Sequence, residues 1–401
     1  MKIKLFGDIW CTEKNYNLSD NISAADLIIA NLETPLTLKQ TKIEKAGAHL
    51  CGTKEQLLQI KSCFSENTGL FFSIANNHIG DYTPAGIDDT ETALCEAGIM
   101  FSGCSVNNNI EPFHISYENN TSIDVFSICE KQYGISSFDK KGTNYFSPEL
   151  YKKINESKRK GNFVIISIHA GAEMNPFPSP YLQELYRSYI DAGADVIHAH
   201  HSHVPQGWEE YNHGLIFYGL GNFMVDPERW KETTHTLRSI GVELNIEQNK
   251  IISYEIIPCS ISEKESSVVI EKEPFNDQYF NDINGVISDK MKLEALWQEF
   301  SLKAFDEFYA GGFGYCEIFP PSRKFLKRLE DCIHLLFNDY QYVIKRLIPC
   351  FKLKENRLYH FFDCVSHAYA IETALGLKCG DIKDIRTVES KKLMDKYYQS
   401  L

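Results

Sequence analysis

The chain has 401 residues, which at about 100–200 residues per domain predicts two or three domains with ample core. Its 41 basic against 54 acidic residues leave a net charge of −13, which argues against a surface built to grip nucleic-acid phosphates; 43% hydrophobic and 24% charged residues exclude a disordered chain. Twelve cysteines are scattered without a Cys-x-x-Cys pair, so free thiols in a reducing compartment are expected rather than a disulfide framework or a zinc ribbon.

The opening Met1-Lys-Ile-Lys-Leu-Phe-Gly-Asp8 passes directly into strand-like alternation, and no signal peptide is read there. The longest apolar stretch free of charge, Gly214 to Val225, falls short of the roughly 20 residues of a membrane-spanning helix. A cytoplasmic address without a transmembrane segment is therefore expected. In chain order the strand candidates are Lys2–Phe6, Asp26–Ala30, Leu70–Ala75, Asp124–Ile128, Phe163–Ile168, Asp195–Ala199, Leu215–Tyr218, Ser239–Ile246 and Ile251–Ile257. Gly86–Ala97 and Tyr181–Ala192 carry helical spacing. This alternation predicts an α/β layer structure over residues 1–262, with several strands apolar throughout, as strands covered on both faces are.

After a polar stretch around Ser260–Ser267 the strand pattern is expected to stop, leaving a helical region, 263–401, broken at Gly311–Gly314 and Pro320–Pro321. Within it Phe325, Leu326, Leu329, Cys332, Ile333, Leu336 and Phe337 repeat at three- and four-residue intervals. Residues 321–360 hold nine basic residues against four acids. A basic amphipathic helix can lie on a membrane or an acidic partner; packing of its apolar face on the first domain is the favoured expectation. A homo-oligomer or protein-partner contact is expected through these helices.

Six of the 13 histidines fall between His169 and His213. In extended chain, residues two apart point the same way, so His201 and His203, or the competing pair His198 and His200, can approach one site together. His169 follows an apolar strand, and strand C-termini are where α/β folds assemble their sites. Gly7-Asp8, Asn31-Leu-Glu33 and Ala75-Asn76-Asn77-His78 end three further strands. Singly these read as a turn, a helix cap and a loop. Together, Asp, Glu, Asn and His from four strand ends with His-x-His from a fifth predict an oxygen- and imidazole-rich cage without thiolate, suited to a pair of Mn, Fe or Zn ions. Gly219-Leu-Gly221 is not a dinucleotide loop, because the sixth position is Met224.

These stretches, with Ala75-Asn-Asn-His-Ile-Gly-Asp-Tyr-Thr-Pro-Ala-Gly-Ile-Asp-Asp-Thr90, His169-Ala-Gly-Ala-Glu173, His201-Ser-His-Val-Pro-Gln206 and Tyr218-Gly-Leu-Gly-Asn-Phe223, occur in an order that resembles the bacterial capsule-synthesis CapA (PGA_cap) family, a branch of the calcineurin-like metallophosphoesterases. The resemblance implies a four-layer α/β/β/α sandwich with two divalent ions at one edge and hydrolysis of a phosphate ester by a metal-bound hydroxide. By the same resemblance Asp8 and His203 bind the first ion, Glu33 bridges both, and Asn77, His169 and His201 bind the second. His78 takes the place of the proton donor, with Asp81 orienting it or merely capping its loop. Asn76, Glu173, Gln206 and Asn222 are assigned to the substrate, a phosphorylated small molecule or surface-polymer precursor. Two departures stand out: Asp8-Ile-Trp10 lacks the imidazole of the superfamily's Asp-x-His, and Ala170 replaces a Trp. A non-catalytic accessory protein that binds a polymer or phosphorylated precursor in capsule assembly is the alternative.

Overall fold

Chain segments that are apolar at most positions become strands with both faces covered. Phe163–His169 is buried from end to end, as are Leu27–Leu32 and Val196–His200. The computed structural model describes residues 1–117, 120–231, 233, 235–264, 267–272, 278–310 and 355–398. In chain order its strands are β1 (Lys2–Ile9), β2 (Asn15–Leu18), β3 (Leu27–Leu32), β4 (Gly69–Ser73), β5 (Met100–Ser102), β6 (Cys104–Val106), β7 (Phe113–Ser116), β8 (Ser122–Cys129), β9 (Lys141–Thr143), β10 (Phe163–His169), β11 (Val196–His200), β12 (Pro205–Tyr211), β13 (Gly214–Leu220), β14 (Asn222–Met224), β15 (Arg238–Glu247), β16 (Lys250–Lys264) and β17 (Ser267–Lys272). The longer helices are α1 (Lys54–Ser62), α2 (Thr83–Ala97), α3 (Glu149–Arg159), α4 (Pro180–Asp191), α5 (Gln278–Ile287), α6 (Lys290–Ala304), α7 (Glu355–Asp363), α8 (Val365–Cys379) and α9 (Val388–Tyr397).

The result is a mixed α/β protein. One sheet has nine strands in the order β2-β17-β16-β15-β1-β3-β4-β5, with β14 paired beside β1. A second has six strands in the order β12-β13-β11-β10-β8-β7, and β6 and β9 form a two-stranded ribbon. Strand β1 packs across the inter-sheet space on β11 and β13. Within the sheets β1, β3, β4 and β5 run parallel, and so do β8, β10, β11 and β13. Two sets of strand C-termini therefore open toward one edge, which is where the site forms.

Register sets the neighbours there. Asp8 of β1 pairs with Asn31 of β3 on one side and Asn222 of β14 on the other, and His169 of β10 pairs with His200 of β11. Gly7 is required by close approach: a Cβ at that position would sit 1.8 Å from the carbonyl oxygen of Gly221. Gly7→Ala is expected to destabilise the protein by about 1–3 kcal/mol or more, as overpacking does, and to displace Asp8. Denaturant unfolding together with metal stoichiometry checks this.

The helices start and stop by local rules. The Ser179 side chain caps α4 by accepting from the Leu182 amide, with Pro180 in the first turn, and Gly98 ends α2 in the left-handed region at φ 65°. Thr53 with Gln56 forms a capping box on α1, and Thr387 with Ser390 on α9. In the C-terminal region α6 packs against α5, α8 and α9; the Trp297 indole N–H donates to Thr373 Oγ1 at 3.1 Å while its ring stacks on Tyr369 at 5.1 Å.

The strand pattern does not stop at the polar stretch Ser260–Ser267, contrary to the expectation from sequence. Strand β16 continues to Lys264, and β17 returns beside it to pair with β2. The polar residues Ser260, Ser262 and Glu263 belong to this antiparallel ribbon, one face of which is open to solvent, so polarity there does not end the sheet. The amphipathic repeat Phe325–Phe337, the breaks at 311–314 and 320–321, and the basic residues up to 354 lie outside the described residues. No helix among the described residues is long and apolar enough to cross a membrane.

Candidate metal centre

Asp8 is fully buried. Its Oδ1 accepts from Asn31 Nδ2 at 2.8 Å and its Oδ2 from the His201 amide at 3.2 Å. Glu33, one residue past β3, is also fully buried; the Trp10 indole N–H donates to its Oε2, while Oε1 has no hydrogen-bond partner and lies 3.3 Å from His169 Nε2. Asn77 Oδ1 lies 2.9 Å from the same His169 nitrogen. His201, buried, leaves Nδ1 without a partner, and His203 Nδ1 is 3.5 Å from Asp8 Oδ2.

The chain folds so that these groups converge in two overlapping sets. Ligand atoms of Asp8, Glu33 and His203 lie within 4.8 Å of one another, and so do those of Glu33, His169 and His201, with Glu33 common to both. Asp8, His169 and His200 form a third overlapping set, and with Asn77 Oδ1 against His169 all six residues read from the sequence as ligands lie together. His201 and His203 follow β11 with φ of 97° and 57°, a left-handed conformation costing about 1–3 kcal/mol at a non-glycine residue. That cost falls on the two histidines that turn into the centre.

The electrostatics suit a cation. Burial pushes the Asp8 carboxyl up to about 7, and burial followed by the nearby Asp8 raises that of Glu33. Burial, together with the other imidazoles, holds His169 and His201 well below the usual histidine range and takes His203 down to about 3. Two enclosed acids and three enclosed bases without counter-ions, two of their atoms unpartnered, fit a divalent ion pair held by oxygen and nitrogen.

The proton-donor candidate is equally well built. His78 Nδ1 donates to Asp81 Oδ2 at 3.1 Å, and Asp81 Oδ2 also accepts from the Leu50 amide at 2.8 Å. Lys45 forms a buried ion pair with Asp81 and stands 3.0 Å from His78 Nδ1. Asp81 therefore orients the imidazole as well as tying down its loop. His78 borders a cavity of ≈ 520 Å³ whose walls also include Asn77, His201, His203, Lys45 and Arg229.

Of the residues assigned to substrate, Glu173 lines this cavity with its side chain open to solvent. The other three lie away from it. Asn76 donates to Asn31 Oδ1 and the Leu32 carbonyl, and accepts at Oδ1 from the amides of His78 and Ile79. Gln206 donates to the Asn175 carbonyl at 2.7 Å. Asn222 accepts from His203 Nδ1 at 3.0 Å and donates to the Thr236 carbonyl, so it holds a ligand candidate instead of a substrate. Asn222→Ala is expected to weaken metal binding about 10- to 100-fold, read by titrating metal into the chelated variant.

The sequence does not single out Gln132, Arg229 or Lys45, and it offers His200 only in the competing pair. His200 Nδ1 lies 2.8 Å from His169 Nδ1 and 3.8 Å from Asp8 Oδ1, so one half of the competing histidine pair reaches the centre. His198 instead donates to the Phe6 carbonyl at 2.7 Å and is a core residue. Gln132 contacts His201 Nε2 at 3.1 Å, and the Arg229 guanidinium lies 4.5 Å from the Trp10 ring. Lys45 sits in an irregular loop with no periodic signal.

An α/β protein with a buried, thiolate-free cluster of acids and imidazoles at converging strand ends is the class that fold and site define. The profile of the bacterial capsule synthesis protein PGA_cap matches residues 13–227, and the chain belongs to that family. It is 31% identical over 259 residues to the capsule biosynthesis protein CapA of Bacillus anthracis, covering 62% of this chain and 61% of that protein. It is 29% identical over 246 residues to the PGA biosynthesis protein CapA of Bacillus subtilis (strain 168), covering 60% and 63%. A protein of Mycobacterium tuberculosis named "Probable polyglutamine synthesis accessory protein" is 27% identical over 171 residues, covering 39% and 45%. The chain thus spans about three fifths of the length of the Bacillus relatives it matches.

Proposed function

We propose that this protein is a metal-dependent phosphoric ester hydrolase in the synthesis of a capsule or related surface polymer, acting on a phosphorylated small molecule or polymer precursor. The observation that carries this reading is the pair of buried, unpartnered atoms, Glu33 Oε1 and His201 Nδ1, aimed into one cluster beside a cavity. Asp8, Glu33 and His203 would hold one divalent ion, and Glu33, Asn77, His169 and His201 the other. Mn, Fe or Zn ions bound there would supply an acidified water and neutralise charge on the phosphoryl group. His78 gives its Nε2 proton to the leaving oxygen, while Asp81 accepts from Nδ1 and fixes the ring. Lys45 and Arg229, both at the cavity wall, attract the phosphate oxygens, and Glu173 meets the polar remainder of the substrate.

The finer architecture belongs to the same proposal: four layers, α/β/β/α, with the ions at one edge. The division into an α/β part, residues 1–262, and a helical part, 263–401, belongs to the proposal, with the β16–β17 hairpin crossing 262 as reason to draw the boundary after Lys272. A cytoplasmic address is proposed on the nine unpaired cysteines among the described residues. Absence of a nucleic-acid partner is proposed on the net charge of −13. Contact with a second copy or a protein partner is assigned to the C-terminal helices.

Trp10 favours one competitor. Its indole N–H holds Glu33 Oε2 where relatives in the superfamily bring an imidazole, leaving the first ion fewer ligands. A non-catalytic accessory protein that holds a polymer or phosphorylated precursor is compatible with that loss. Elemental analysis of purified protein, then a Mn-supplemented screen of phosphomonoesters and phosphodiesters, separates the two. Turnover abolished by chelator supports the hydrolase; saturable binding of a phosphorylated compound without turnover under any metal supports the binder.

A further inference from the structure

A second cluster of metal-type side chains lies outside the six ligands above. His360, Cys364 and His367 stand at i, i+4 and i+7 around the elbow where Cys364, extended at φ −79° and ψ 119°, separates α7 from α8. One nitrogen of each imidazole and the Cys364 sulfur lie within 4.8 Å of one another. The rings are 4.8 Å apart at 69°, so neither stacks flat on the other.

Each member is fixed from behind. The Tyr309 hydroxyl lies 2.6 Å from His367 Nδ1, and the Tyr133 ring packs on His360 at 4.3 Å. Cys364 is fully buried at the N-cap of α8, and its side chain makes no capping hydrogen bond to the helix amides. The N-terminus of a 15-residue helix, with its partial positive charge, favours a thiolate in that place. Burial and then the Glu130 carboxylate oppose it, pushing the thiol up, so the proton leaves only when a cation takes its place. Glu130 also accepts from the Ser366 and Gly171 amides and ties this helix start to the end of β8.

We infer that His360, Cys364 and His367 bind a zinc ion, a site separate from the carboxylate-imidazole centre. Two imidazoles and a thiolate form a borderline-soft set that selects Zn²⁺ over Mn²⁺ or Mg²⁺. Binding forms the sulfur–zinc bond and releases the Cys364 thiol proton to solvent. Three protein ligands leave a fourth position, and since His360 and His367 line the cavity, that position faces it. The ion pins the α7–α8 elbow against the cavity wall.

The site does not rest on the phosphoesterase reading, and its test reads sulfur, which none of the six residues of the other centre carries. Co²⁺ is titrated into the metal-free full chain and followed by absorbance. A sulfur-to-cobalt charge-transfer band in the near ultraviolet, saturating at one thiolate per chain and abolished by added Zn²⁺, is expected. Cys364→Ser should remove the band. His367→Gln, which keeps the sulfur, should shift the titration midpoint by about tenfold or more. The wild-type titration decides whether any thiolate binds, and the His367 variant decides whether it is this one even if Cys364→Ser folds poorly. No band at saturating Co²⁺, a band that persists in Cys364→Ser, or an unshifted midpoint in His367→Gln overturns the inference.

Discussion

On the proposed hydrolase reading, His78→Ala is expected to retain the metal of the carboxylate-imidazole centre while phosphodiester turnover falls about 10²- to 10⁴-fold, the usual worth of a positioned general acid. The imidazole belongs to neither set of converging ligand atoms; its Nδ1 is taken up by Asp81 and crowded by Lys45, so the ring is held without a metal. Glu33→Ala should behave in the opposite way. Glu33 is the one residue common to both sets, and its removal strips a ligand from each ion at once. Elemental analysis and diesterase assays on the two purified variants read the split, and loss of metal from the His78 variant would refute the assignment. Leaving groups sharpen the result: an ester with a very acidic leaving alcohol needs little protonation, so the His78 variant should lose least on it.

The strand ends that build the centre were legible because their physics is local. Mostly apolar runs such as Phe163–Ile168 and Val196–Ala199 mark buried parallel strands, and the residue after such a run faces the site edge. The same logic fails for β12, whose Pro-Gln-Gly-Trp-Glu-Glu-Tyr reads as a loop, and for the polar β16–β17 ribbon. There the ladder is supplied by the next strand of a hairpin, β13 for β12 and β17 for β16, and no apolar run marks the pairing. Asn76, Gln206 and Asn222 illustrate another limit. A polar residue beside a ligand looks the same in sequence whether it faces substrate or holds the ligand, and only the hydrogen-bond partners decide. Lys45 carries no periodic signal, yet it is buried against Asp81 because the loop after Glu33 folds back across the His78 turn. The His-x-x-x-Cys-x-x-His spacing at 360–367 was visible in principle; a search for Cys-x-x-Cys pairs alone passes over it.

In metal-free protein at pH 8, Asp8→Asn is expected to be more stable than wild type by on the order of 4 kcal/mol, with the difference vanishing near pH 4. The Asp8 carboxyl is pushed up to about 7, chiefly by burial, from an ordinary 3.8. An acid that holds its proton more tightly when folded favours the folded state below its unfolded pKa, and that advantage drains away as pH rises to the folded value. At 1.36 kcal/mol per pH unit, the window from about 4 to 7 carries the stated amount. Glu33 moves the same way, first through burial and then through Asp8, so removing the Asp8 charge relieves it as well. The enclosed imidazoles act in the opposite direction, since burial lowers them and their neutral forms stabilise the fold as pH rises, but they are present in both proteins and largely cancel in the comparison. Bound Mn²⁺ or Zn²⁺ reverses the order, because the ionised Asp8 carboxylate then becomes a ligand, and the neutral amide that replaces it in the variant is a poor one. Urea unfolding across pH 4–8, with chelator and with metal, tests the crossing. Equal stability of the two chelated proteins at pH 8 would mean that Asp8 is not an uncompensated buried charge and that the cluster has no electrostatic need of a cation.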